Sequence, residues 1–119
     1  MFLEDGVYVY EPKNHELIPF VAGDFRKDTG KQAYVATAPV NLIYVANIGK
    51  ITIGADENEK LLIANIDVGF IAENVALFCA STGLVSVPRL YIDKVALAQT
   101  LQLRPDQKII LGQTVGYPK

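Results

Sequence analysis

Between Asp56 and Gly83 the chain carries a start signal, a stop signal and almost no polar face between them. No other feature limits the fold as much. Asp56-Glu57-Asn58-Glu59 places a carboxylate acceptor three positions ahead of a glutamate, the arrangement by which side chains and free backbone amides satisfy one another at a helix start. Gly83 supplies the residue that most easily adopts the left-handed conformation after a last helical turn. Leu61, Leu62, Ala64, Ile66, Val68, Phe70, Ile71, Val75, Leu77 and Phe78 spread over nearly every side of the helix so defined. A helix of that kind is expected to be buried all round, centrally in its domain or against a second subunit. Asn65, Asp67, Glu73 and Asn74 interrupt Leu61–Ala80, so a simple membrane span is not expected.

The flanking segments are shorter. Phe2-Leu3-Glu4 and Val7–Tyr10 read as two arms of a hairpin about Asp5-Gly6, a pair suited to the positive φ angles of a type I′ turn. Pro12–Thr29 is polar, broken by Pro19 and Gly23, and reads as connection. Lys31–Ala38 fits a short helix stopped by Pro39. Val40–Ala46 is β-branched and aromatic, apolar except at Asn41, and reads as a strand covered on both faces. Ile51-Thr52-Ile53 is a candidate additional strand. Val85–Val87 is extended and limited by Pro88; Asp93 caps a helix to Leu101; Lys108–Val115 is the last strand. The order predicts an α+β domain spanning 1–119, with a mixed or antiparallel sheet around a long buried central helix.

Composition narrows the chemistry. Eleven Lys and Arg against thirteen Asp and Glu give a net charge of −2, which lacks the electrostatic footprint of a nucleic-acid binder. Cys79 is alone and no basic-flanked apolar leader is visible, so a reducing, cytoplasmic setting is expected. His15 and Cys79 are the only soft ligands, 64 positions apart, and no zinc site is expected from them. Cys79 reads as a small core residue and His15 as a solvated loop residue. Neither a dinucleotide-binding glycine fingerprint nor a P-loop is present. Ser81 and Ser86 lack a nucleophile elbow. Asp67, Glu73 and Asn74 read as a polar strip that caps backbone or pairs across a dimer, rather than as hydrolytic carboxylates.

The run Asp67-Val-Gly69-Phe-Ile-Ala-Glu73-Asn74-Val-Ala-Leu77-Phe-Cys-Ala80-Ser-Thr-Gly83-Leu84-Val-Ser-Val-Pro88 resembles the carboxy-terminal half of the nitroreductase family. Val7-Tyr8-Val9-Tyr10-Glu-Pro, Thr37-Ala38-Pro39-Val40 and Gln113-Thr-Val-Gly116-Tyr117-Pro118 match in the same order. The resemblance implies an FMN-dependent oxidoreductase, a homodimer with flavin at the subunit interface. It implies hydride transfer from NAD(P)H to nitro compounds, quinones or related small aromatic acceptors, with no obligatory acid or base side chain. Val87-Pro88-Arg89-Leu90 matches the family turn that lies along the isoalloxazine ring, where a backbone amide approaches the flavin. Lys119 falls where the family places a basic residue near the FMN phosphate.

The sequence departs from the family in two places. Tyr91 stands where the family commonly has glycine. The family's Arg-Arg-Ser-x-Arg-like run, whose guanidinium forks suit a phosphate, has no counterpart in the 119 residues. The expectation is therefore an amino-terminally truncated form of the fold, whose flavin activity is reduced by the loss. The alternative is a non-catalytic dimeric remnant or binding module that does not retain flavin.

Overall fold

A computed structural model describes residues 1–119. Its elements are β1 (Gly6–Glu11), β2 (Glu16–Ala22), β3 (Val40–Asn47), α1 (Glu57–Thr82), β4 (Val85–Arg89), α2 (Lys94–Thr100) and β5 (Gln107–Gly116). Short 3-10 turns occupy Arg26–Thr29, Ala33–Ala36 and Ile48–Lys50. Strands β3, β5 and β4 form an antiparallel sheet in that order, with the last strand at its centre. The α+β expectation holds.

Both caps of α1 form as the sequence predicts. Asp56 Oδ1 accepts from the Glu59 amide at 2.9 Å, and Glu59 Oε2 reaches back to the Ala55 amide at 2.6 Å. Gly83 closes the helix at φ 77°, with its amide donating to the Cys79 carbonyl. Its own chain does not cover the helix all round, so of the two expected settings the central one does not hold. Within this chain only Ala64, Val68, Ala72 and Cys79 are buried, a single stripe at helical spacing facing the sheet. Leu62, Ile66, Phe70, Ile71, Leu77 and Phe78 stay exposed because one three-stranded sheet covers one side of a cylinder. By length and composition alone α1 is long and apolar enough to cross a membrane.

The amino-terminal hairpin also differs. The Asp5-Gly6 turn forms, with Leu3 donating to the Gly6 carbonyl and Phe2 bridging Val7. The main partner of β1 is nonetheless β2, which lies within the segment read as connection. Pro19 sits opposite Tyr8, beside a register shift that follows Val7, so the strand accommodates the missing donor at an irregularity. Lys31–Ala38 makes only the 3-10 turn Ala33–Ala36, and Ile51-Thr52-Ile53 makes no strand.

The core has two parts. Phe2, Val7, Leu97 and Ile109 join the amino-terminal turn, α2 and β5. Ala46, Ile48 and Ala64 join β3 to the first half of α1. Gln113 of β5 is 1% exposed and ties the layers by hydrogen bonds. It accepts from the Tyr44 hydroxyl at 2.6 Å and donates to the Ala72 carbonyl of α1 at 3.0 Å.

Candidate functional site

Strand β4 lies at one edge of the sheet, and Pro88 explains how that edge is kept. Proline has no amide to donate, so it fits a ladder only where its nitrogen points away from the neighbouring strand. Pro88 pairs with Gln113 on β5 while its outer side stays free. With the two-residue strand period, the Leu90 amide falls on the same outward side. Val87, Leu90 and Tyr91 are all exposed there. Val87, Pro88 and Leu90 thus form a largely apolar rim with an outward amide at its end.

Arg89 behaves differently from its neighbours. Its side chain turns inward and is 4% exposed. Nε donates to Thr114 Oγ1 at 2.6 Å, and Nη2 donates to Asn41 Oδ1 at 2.9 Å and Thr29 Oγ1 at 3.2 Å. Nη1 donates to the Thr29 carbonyl. Thr114 Oγ1 in turn donates to Asn41 Oδ1 at 2.7 Å, and Asn41 Nδ2 to the Val35 carbonyl at 2.8 Å. Burial lowers the Arg89 pKa, an effect opposed by Tyr34, yet a guanidinium stays charged. Of the sequence-assigned site residues, Arg89 therefore offers a ligand its backbone and not its side chain.

Next to Leu90 runs a shallow groove of about 400 Å³, lined also by Asn65, Val68 and Gly69 of α1, Lys94 of α2, and Ile110 and Leu111 of β5. A larger groove of about 690 Å³ continues between α1, α2 and β5, sharing Asn65, Lys94 and Ile110. On the other flank the Lys31 amide donates to the Tyr91 carbonyl at 3.1 Å, and Lys31 Nζ stands 5.1 Å from the centre of the Tyr91 ring. Tyr91, where glycine was the family expectation, is 62% exposed.

Lys119 is exposed, three residues beyond the end of β5. Gly116 pairs with Val85 and Gly112 with Arg89, so the chain leaves β5 at the end of β4 away from Leu90. Asp67, Glu73 and Asn74 are exposed on α1, Cys79 is buried, and His15 is exposed with Nδ1 2.9 Å from the Tyr10 hydroxyl. No three His, Cys, Asp or Glu side chains converge on a metal position. Thr29, Asn41 and Thr114 are the residues that sequence reasoning did not attach to the site. Asn41 carried a signal, being the one polar residue in an otherwise apolar strand; the threonines carried none.

All three arginines are committed within the chain. Arg26 pairs with Asp24 at 2.7 Å and also donates to the Ala38 carbonyl, Arg104 pairs with Asp106 at 3.1 Å, and Arg89 is enclosed. The Val87–Leu90 rim is apolar and exposed, whereas each of the three arginine side chains has partners within the chain.

Residues 4–117 match the model of the nitroreductase family. Several relatives bear the description "putative nitroreductase", two of them more than 30% identical to this chain. One, from Methanocaldococcus jannaschii, is 31% identical over 100 residues, which is 78% of this chain and 50% of that protein. The other, a crystal structure from Ralstonia eutropha JMP134, is 36% identical, with a TM-score of 0.88 over 99% of this chain and 56% of that one. The Escherichia coli microcin synthetase McbBCD complex shares the fold, with a TM-score of 0.81 at 17% identity, over 98% of this chain and 46% of that one. The chain spans about half the length of these relatives. The matched residues include the long helix, the proline-bearing edge and the final strand, and the chain belongs to the nitroreductase family, whose members generally use flavin.

Proposed function

We propose that this chain supplies the ring-facing part of an FMN site in an oxidoreductase that passes hydride from NAD(P)H to nitro or quinone-type aromatic acceptors. The observation that carries the reading is the open β4 rim. There the apolar surfaces of Val87, Pro88 and Leu90 would lie along the ring, and the outward Leu90 amide would donate to its polar edge. FMN, when bound, supplies the hydride-carrying chemistry, and the protein orients and shields it. Arg89 holds the rim in place from behind through Thr29, Asn41 and Thr114. The groove beside Leu90 offers room for a small planar acceptor or a nicotinamide.

The exposed apolar faces of α1 support a homodimer, in which the helix of one copy covers that of the other. Lys119, exposed at the end of the tail, would approach the phosphate. A cytoplasmic setting without nucleic-acid or membrane partners accords with the near-neutral charge and the single buried thiol.

The test is an absorbance spectrum after incubation with FMN and removal of free flavin. Retention of flavin absorption near one per chain is expected. No retention at micromolar protein and flavin contradicts the proposal. A second reading, a dimeric remnant that does not retain flavin, is favoured by the commitment of all three arginines to internal partners. A dimer by light scattering that stays colourless supports that reading.

A further inference from the structure

The Arg89 guanidinium is buried without a counter-charge. Every acceptor it uses is neutral: the Thr114 and Thr29 hydroxyls, the Thr29 carbonyl and the Asn41 amide oxygen. The chain's three ion pairs are Arg26–Asp24, Arg104–Asp106 and Lys108–Glu57, so no carboxylate is paired with Arg89. Space for the fork is kept by Gly112, where an added Cβ would lie 3.0 Å from Nη1, and by Gly30, where it would collide with the same atom. Enclosing an ion this way costs more than enclosing an apolar side chain of similar size, so packing alone does not explain it.

The charge is also close to the β4 rim. The side chain leaves β4 and reaches Thr114 on β5 and Asn41 on β3. Neighbouring strands are about 4.8 Å apart, which places the cation within about 10 Å of the outer edge.

We propose that Arg89 acts through this uncompensated charge on a ring held at the β4 rim, so that the rim binds an anionic ring more tightly than a neutral one of the same shape. The inference rests on the flavin reading above, and the ligand class is a planar aromatic anion. For FMN it means a preference for the reduced form. Oxidised FMN has a neutral ring; gaining two electrons and one proton leaves the ring a monoanion. A unit charge at about 10 Å in a partly screened setting favours the anion by about tenfold.

The midpoint potential of bound FMN, poised with a chemical reductant and a reference dye, tests this in four variants and the natural chain. Arg89→Met removes the charge. Asn41→Asp keeps Arg89 and sets a carboxylate where Nη2 now finds a neutral oxygen at 2.9 Å. Arg89→Lys keeps the charge and gives up the fork. Asn41→Ser gives up the bond to the Val35 carbonyl, as the aspartate does, without adding charge. Arg89→Met and Asn41→Asp are expected to lose about tenfold in relative affinity for reduced FMN, which for a two-electron couple lowers the potential by about 30 mV. Arg89→Lys and Asn41→Ser are expected to stay near the natural chain. Equal potentials across all five proteins overturn the inference and leave the flavin reading intact. Failure of the natural chain to retain FMN overturns the flavin reading and this inference with it. Should Arg89→Met fail to fold, the comparison of Asn41→Asp with Asn41→Ser carries the same decision.

Discussion

Tyr44 shows how one side chain can link the protein's stability to alkali. Its hydroxyl donates to Gln113 Oε1, and its pKa is pushed up to about 12, by burial first and by the nearby Cys79 thiol second. The unfolded phenol titrates near 10, so the folded state holds this proton more tightly. The stabilisation is complete below pH 10, falls as the pH rises from 10 to 12, and is lost beyond. Urea unfolding at pH 9 and pH 12 should show the natural chain losing about 2 kcal/mol more than Tyr44→Phe. Equal losses would contradict the assignment. Asn41 was marked in the sequence by its isolation among apolar neighbours, since a lone polar residue on a covered strand must find partners. Thr29 and Thr114 were not, because they stand 60 and 25 positions from Arg89 and only the folded sheet brings them together. Arg89 was assigned to the site from its place in the family turn, and that motif carries no information about which way the side chain points.

At the scale of elements, α1 was legible at both ends because capping is local chemistry. Asp56, Glu59 and Gly83 lie within a few residues of the groups they satisfy. Asp56→Ala should cost about 1 kcal/mol of unfolding free energy, read as a lower urea midpoint with an unchanged slope. A midpoint equal to that of the natural chain would mean that the cap is redundant. The burial of α1 was not legible, because an apolar sequence states what a helix needs and not how much of it one sheet can cover. Strand β2 was hidden for the opposite reason. Six of its seven residues are exposed, so no inward–outward alternation marks it, and Pro19 reads as a break until the register shift opposite it is seen. Pro88 was expected to limit its strand, yet β4 runs through it to Arg89, because at a sheet edge the missing donor costs no ladder bond.

For the whole molecule, the proposed dimer rests on the uncovered faces of α1. Phe70 is 69% exposed in the middle of that helix, among Ile66, Ile71 and Leu77. If a second copy covers this face, Phe70→Asp should convert a dimer to a monomer by light scattering while far-ultraviolet circular dichroism stays unchanged. A natural chain that is monomeric at tens of micromolar would remove the dimer from the proposed function. The sheet's two borders are handled differently. Phe2 exchanges backbone hydrogen bonds with Asn41 on the β3 side, at 2.8 and 3.0 Å, while β4 is left open with Pro88 along it. A foreign strand growing onto β4 would need every second amide along that border as a donor, and Pro88 withholds one of them. A flat ring needs no such ladder. The same residue can therefore turn away self-assembly into fibres while leaving the doorway clear for a small planar guest, with no gate or moving part.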